Sequence, residues 1–518
     1  MKFSLQFLLF IAPFLSAQTG YNVSLYGQMN KTWTNPAASN YSEVWGWTDT
    51  VKQREYAFIG GPRGTIIVDI TTQPIKQVDT LIGPTTNNSY KYHEFRTYKN
   101  YLFVGSEGTD INLNAGIQIV DLSPLPDSVS LKKVFVWIDT INVVTNATRK
   151  YYRAHTLSID RNFLYVNGGD FGGTRIMDVS NPLHPLQAGS YGKGSTPYVH
   201  DAYILNDTLY AAAINEGRLD IVDLRVKRPI TQNDATAIIS KTFTTPEGRT
   251  HQVWLSDDAK YAFVCTEATG SSVYSYYLHV YDISNRTNPI QIAKWISDPG
   301  KSIHNAFVQG NYLFIAYYTD GLRILDITDP AIPIEVGFYQ TYKGSPSVMF
   351  AGAWGVYPYF PSGKLVVSDM NTGLYALTFD RKKGGRISGT VRDAATQQVL
   401  TDVTVTVQEM GRKYTSDING KFLYGSAEGN HTITFAKAGY ISMTDTVTTK
   451  PGVLDSISVA LVSSPASGID HVTNIPAAFG LSQNFPNPFN PSTTIEFSLA
   501  EPQFTALTVF NALGQNVS

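Results

Sequence analysis

The 518-residue chain holds one cysteine. A single thiol excludes an intramolecular disulfide framework. Cys265 lies inside YAFVC, where it reads as a small buried apolar side chain. Charge is also scarce. Only 16% of residues are charged and the net charge is −2, against an ordinary share of roughly a quarter. Nothing in that balance points to nucleic acid or an anionic membrane, so no nucleic-acid partner is expected. Beyond residue 17 no apolar run is long enough to cross a membrane as a helix, so no transmembrane span is expected. There is no G-x-S-x-G, no H-E-x-x-H and no Cys/His zinc pattern. NGGDFGG at 167–173 is not a phosphate loop, because no helix pattern follows it.

What the chain has is aromatic residues, 12% with 31 Tyr, and short β-type runs. Its start, MKFSLQFLLFIAPFLSA, has one early Lys, an apolar run, and small residues at Ser16 and Ala17. That is the pattern of a secretory signal peptide over 1–17, cleaved after Ala17. The expected location is therefore secreted, extracellular or on the outer cell surface. With no Cys at the cleavage point, a lipoprotein anchor is excluded.

The stretch 304–340, HNAFVQGNYLFIAYYTDGLRILDITDPAIPIEVGFYQ, reads as four short strands separated by GN, TDG and TDP turns. Seven such units align along the chain. Each has an inner strand, an apolar second strand, a third strand ending in Asp, and a fourth strand after a Pro-containing turn. The seventh unit, AWGVYPYF, KLVVSD, GLYALTFD, lacks a fourth strand, while NVSLYGQMN at 22–30 has no unit of its own. Ring closure resolves both: the N-terminal strand completes the last sheet. The fold class is all-β, a seven-bladed β-propeller over 18–380 closed by an N-terminal strand, since radial repetition leaves only short, protected sheet edges. A linear solenoid fails on unit length and on the leftover strand.

Six carboxylates recur in phase at the third strand: Asp69, Asp121, Asp178, Asp223, Asp282 and Asp326. Most precede Ser or Thr and then Pro, so they are expected to fix turns by accepting backbone N–H bonds. IIVDI, IQIVDL, LDIVDL and LRILDI resemble the LVIVD repeat. With VWGW near the start and AWGVYPYFPSGKLVVSD near the end, residues from about 20 to 380 resemble the choice-of-anchor B family of secreted bacterial proteins. That name implies surface attachment and no chemistry.

A second phase is more informative. His93, His155, His200, His251 and His304 open the inner strands of five units, out of nine histidines in all. The other two units are expected to place Trp45-Gly46 and Trp354-Gly355 there. In a propeller these positions ring one mouth of the channel. Two readings stand. Each imidazole can link its blade to the next by donating to a backbone carbonyl or a carboxylate. Alternatively, two or three neighbours with Glu94 or Asp201 can hold a ligand or a divalent metal, the candidate cofactor. Either way, the ring is expected to titrate at about pH 6 to 7. Asp110, Asn112 and Asn114 have calcium-loop alternation but lack its glycine and final Glu. Tyr274, Tyr276 and Tyr277 are candidates for an exposed sugar or peptide platform or for packing between blades.

After a polar linker at 381–385, residues 386–462 show period-2 alternation in about seven strands, a small β-sandwich. ISGTVRD, SDINGKF and HTITFAKAGY resemble the carboxypeptidase-regulatory-like domain, a transthyretin-like member of the carbohydrate-binding-like folds and usually a spacer. Asp417, Asn419 and Gly420 read as turn chemistry. A second linker, 463–476, leads to QNFPNPFNPSTTI within 477–518, which resembles the start of a type IX secretion sorting domain. The resemblance implies the type IX secretion machinery as a partner. The chain stops soon after LGQNV, before the later strands of such a domain, as in a fragment or a degenerate copy.

The functional expectation is a secreted or cell-surface, non-enzymatic binding or adhesion scaffold whose partner is an extracellular glycan or protein. The alternative is a metal-dependent hydrolase or lyase on the histidine ring. Fold alone cannot choose, because propellers host both.

Overall fold

A computed structural model describes residues 2–8, 19–30, 41–83, 92–107, 116–142, 147–194, 196–243, 249–267, 276–298, 300–345, 348–464, 478–485, 487, 492–500, 505–506, 508–510 and 515–516. Seven four-stranded antiparallel sheets succeed one another: blade 1 over 44–82, blade 2 over 93–135, blade 3 over 156–191, blade 4 over 199–243, blade 5 over 250–295, blade 6 over 305–339 and blade 7 over 353–379. The inner strands touch in turn, and that of blade 7 meets that of blade 1, so the ring closes. Blade 7 takes its fourth strand from Val23–Met29, which pairs antiparallel with Gly373–Phe379. The protein is a seven-bladed β-propeller closed by its N-terminal strand.

Position within a blade explains composition. Second and third strands lie in mid-sheet with a neighbouring blade on each face, so Tyr312–Ala316 is buried at every residue and reads as an unbroken apolar run. Fourth strands lie at the outer edge: Lys76–Ile82 is exposed or half-buried at all but Leu81, whereas Ile334–Tyr339 of blade 6 is buried at all but Ile334 beneath the N-terminal segment and the sandwich. Each third-strand Asp accepts the backbone N–H two residues on: Thr71 to Asp69, Ser123 to Asp121, Ser180 to Asp178, Arg225 to Asp223, Ser284 to Asp282 and Thr328 to Asp326, all at 2.8–2.9 Å.

Three additions decorate the ring. A hairpin of Trp137–Asn142 and Ala147–Tyr151 follows blade 2. Pro229–Ile230 runs parallel to the outer strand of blade 3. Gly20–Tyr21 pairs with the outer strand of blade 6, so the N-terminal segment spans blades 6 and 7. Lys2–Leu8 pairs with Ser492–Ser498.

The sandwich packs a three-stranded sheet (Lys421–Ala427, Gly384–Asp393, Leu454–Leu461) on a four-stranded one (Arg412–Thr415, Thr404–Val407, Gly429–Ala436, Met443–Thr449). Its first strand begins at Gly384, two residues inside the stretch read as linker. It sits against blade 6. Arg412 pairs with Glu335, which also takes Arg323 Nη1 at 3.0 Å, and the Gly384 N–H donates to Asp326 at 2.7 Å. Gly384 and Gly425 leave room for Ile334, and a Cβ on either would meet it at 3.0 Å or closer.

Candidate functional site at the channel mouth

The inner strands stack side chains in layers along the channel. His155, His200, His251 and His304 form a continuous arc. Ring centroids are 3.9, 4.1 and 4.5 Å apart in turn, and Trp354 of blade 7 follows at 4.3 Å. Backbone bonds tie the arc together. His200 Nδ1 donates to the His251 carbonyl at 3.0 Å, and His304 Nδ1 to that of Trp354 at 2.6 Å. A carbonyl only accepts, so these two rings carry their proton on Nδ1 and keep a lone pair on Nε2. His155 Nε2 lies 2.5 Å from His200 Nε2, and its Nδ1 lies 2.8 Å from Glu107 Oε1.

Blade 1 corrects the expected alignment. The Ser42 N–H bonds the Gly60 carbonyl as the His304 N–H bonds that of Ala316, so Ser42 holds the mouth position and Trp45 falls three residues deeper. There Arg96 stacks over Trp45 at 4.1 Å. Trp254 and Phe307 (4.7 Å), Tyr203 and Trp254 (4.7 Å), and Trp45 and Tyr357 (5.0 Å) fill the same level. This aromatic plug gives the mouth a floor.

Between mouth and plug lies a buried acidic level. Glu43 accepts from Val44 N at 2.9 Å and Asn305 Nδ2 at 2.8 Å, and Arg96 Nη1 donates to Glu94 at 3.3 Å. Blade 7 has Gly355 here, and a Cβ on it would lie 1.8 Å from Glu43 Oε1. Burial lifts Glu43 to about 7 and Asp201 to about 6, with Arg96 opposing both. Glu94 is lifted well above the carboxylate range by burial and by Glu43.

The mouth itself is a cavity of about 400 Å³. All five predicted histidines line it, as do Glu94 and Asp201. His93 stacks on Phe95 beside the arc. Sequence reasoning missed two wall carboxylates, Glu107 and Glu267. Each follows the second strand of its blade directly, in YLFVGSE and YAFVCTE, and Tyr318 and Met370 hold the same phase in blades 6 and 7. That shared phase was the available signal. Glu267 Oε2 lies 3.6 Å from His251 Nε2, and its Oε1 accepts from the Tyr318 hydroxyl at 2.5 Å. Burial pushes Glu267 up. Burial also opposes the charge on Glu107, but His155 and Tyr198 outweigh it and hold Glu107 below the ordinary range.

The expected titration at pH 6 to 7 is overturned for three rings. Burial, then repulsion from neighbouring histidines, drives His200 and His251 well below the ordinary value. Burial drives His304 to about 3 against its bond to the Trp354 carbonyl. These rings are neutral at pH 7.

Of the loop aromatics, Tyr276 is buried and Tyr277 is half-buried under Lys294, and Tyr274 lies outside the described residues. The loop of Asp110, Asn112 and Asn114 also lies outside them. Asp170 of the glycine-rich loop accepts the N–H groups of Tyr152 and Arg153. Asp417 accepts those of Asn419 and Lys421, as a turn residue does. Cys265 is fully buried.

Fold and site together define a closed propeller with a floored mouth pocket, joined to a β-sandwich. Residues 153–192, 247–294 and 302–341 match the LVIVD repeat, and 387–473 match the CarboxypepD_reg-like domain. No curated protein matches the chain. Among solved structures it is similar to a computationally designed protein, Ika8 (10% identity, 65% of this chain and 83% of that one, TM-score 0.39). It is also similar to the Cps50 (Swd1) β-propeller domain of Myceliophteria thermophila (13%, 67% and 98%, 0.40). A third is a protein from Lactobacillus plantarum (12%, 74% and 99%, 0.42).

Proposed function

We propose that the protein is a secreted or cell-surface binding scaffold that takes an extracellular saccharide in its channel mouth. The observation that carries this is an aromatic face on the cavity wall. Tyr92 and Phe350 are 40% and 39% exposed, and Tyr92 stacks on Trp354 at 5.6 Å. Exposed aromatic rings beside a pocket mark a binding surface. Such faces pack against the C–H faces of sugars, while Glu107, Glu267 and Asn305, which line the same cavity, can accept or donate hydroxyl bonds. At about 400 Å³ the cavity is of the size that takes a small ligand.

Export by a signal peptide over 1–17, sorting by type IX secretion machinery through QNFPNPFNPSTTI, and attachment in the manner of the choice-of-anchor B family complete the reading. The sandwich then acts as a spacer. The test is calorimetric titration of the purified chain with a panel of soluble oligosaccharides. At least one should bind, and Trp354→Ala and Phe350→Ala should each weaken it tenfold or more. Silence across the panel, or binding that survives both substitutions, rejects the reading.

A further inference from the structure

We propose that His200, His251 and Glu267 form a site for one divalent transition metal of the zinc class on the wall of the mouth cavity. The inference deepens the saccharide reading and rests on the same cavity being the ligand site. One donor atom from each of the three residues lies within 4.8 Å of the other two. The His251 Nε2 to Glu267 Oε2 separation, 3.6 Å, is close to the edge of a tetrahedron with bonds of about 2.1 Å, which is about 3.4 Å. Two imidazoles and a carboxylate match the three-ligand zinc sites that keep an open fourth position. Calcium and magnesium, which take all-oxygen shells, are disfavoured.

The supporting contacts are those a metal site needs. His200 donates Nδ1–H to the His251 carbonyl, which fixes the tautomer whose Nε2 lone pair can ligate. The Tyr318 hydroxyl holds the other oxygen of Glu267 at 2.5 Å. His155 Nε2 now faces the His200 lone pair at 2.5 Å. A metal takes that lone pair, and His155 swings toward Glu107, which already holds its Nδ1. All three residues line the cavity in which the saccharide would sit.

The test uses the full chain, purified without an affinity tag, stripped with chelator and titrated with Zn²⁺ by calorimetry and with Co²⁺ by visible absorption. The expected result is one equivalent with tetrahedral Co²⁺ bands. Glu267→Gln, which preserves shape, should weaken binding at least tenfold, and His251→Ala should abolish it. His93→Ala, at the same repeat position but outside the three, should bind as the parent does. No stoichiometric uptake overturns the inference, as does equal weakening in His93→Ala and His251→Ala. Saccharide titration of the stripped and loaded forms separates the two proposals. Sugar binding without metal uptake rejects the metal alone. Metal uptake with no sugar binding supports the metal and rejects the saccharide.

Discussion

The propeller carries two rings of repeated residues that look alike as text and behave differently in space. The six aspartates end third strands and each bonds its own chain two residues on, so a turn is complete within one blade. The histidines open inner strands, and His155, His200 and His304 bond outward, to the next blade's carbonyl or imidazole. Apart from Asp326, which also accepts from Gly384 of the sandwich, the first ring is a set of separate local devices. The second includes one connected arc, from His155 to His304, that lines the mouth cavity. Phase shows that positions are equivalent. Whether they cooperate depends on how far from the axis they stand.

The largest effect should come from cutting the arc at its centre. His200→Ala removes the donor to the His251 carbonyl, strands His155 Nε2 and leaves a void in a buried site. The expected loss is about 3 to 4 kcal/mol, from cavity and unsatisfied polar groups together. Denaturant unfolding measures it, and a loss below about 1 kcal/mol would show that the arc does not hold the blades.

The level beneath should give the next effect, through pH. Glu43 faces Glu94, Asp201 and Arg96, and its folded value of about 7 lies above the ordinary 4.5. Between those values the folded chain keeps a proton that the unfolded chain has lost, so stability falls as pH rises through this window. Glu43→Gln removes that slope. The gap between variant and parent should widen by roughly 2 to 3 kcal/mol from pH 4.5 to 7. Parallel pH curves for the two proteins would show that Glu43 is not held neutral.

Much of this architecture was readable in advance. Seven repetitions of short apolar runs and turns announced the blades, and the missing fourth strand of the last unit matched the spare strand at 22–30, which pairs as expected. The histidine phase was readable because the residue type is rare here. Trp45 was misplaced because VWGW resembles AWGV, whereas register is set by the Ser42 to Gly60 backbone bond, which leaves no composition signal. Glu107 and Glu267 were missed because an acidic residue after a strand resembles an ordinary turn. Their direction, into the channel, comes from how a blade lies in the ring. Arg412 and Glu335, 77 residues apart, meet only through the docking of two domains, which periodicity does not encode.

The two rings should separate most cleanly under paired substitution. His200 and His251 share a hydrogen bond and a wall of packed rings, so their combined cost should depart from additivity by about 1 to 2 kcal/mol. Asp178 and Asp223 share no partner: one holds Ser180 and Asn162, the other Arg225. Their costs should add to within about 0.5 kcal/mol. Asp178→Ala alone should cost about 1 kcal/mol, the value of a turn's hydrogen bonds at an exposed site. Stability from urea unfolding of the singles and the double decides both. If the aspartates couple as strongly as the histidines, the turns are not local and blades communicate through their outer ends. If they do not, communication between blades runs through the mouth, where a bound ligand would contact several blades at once.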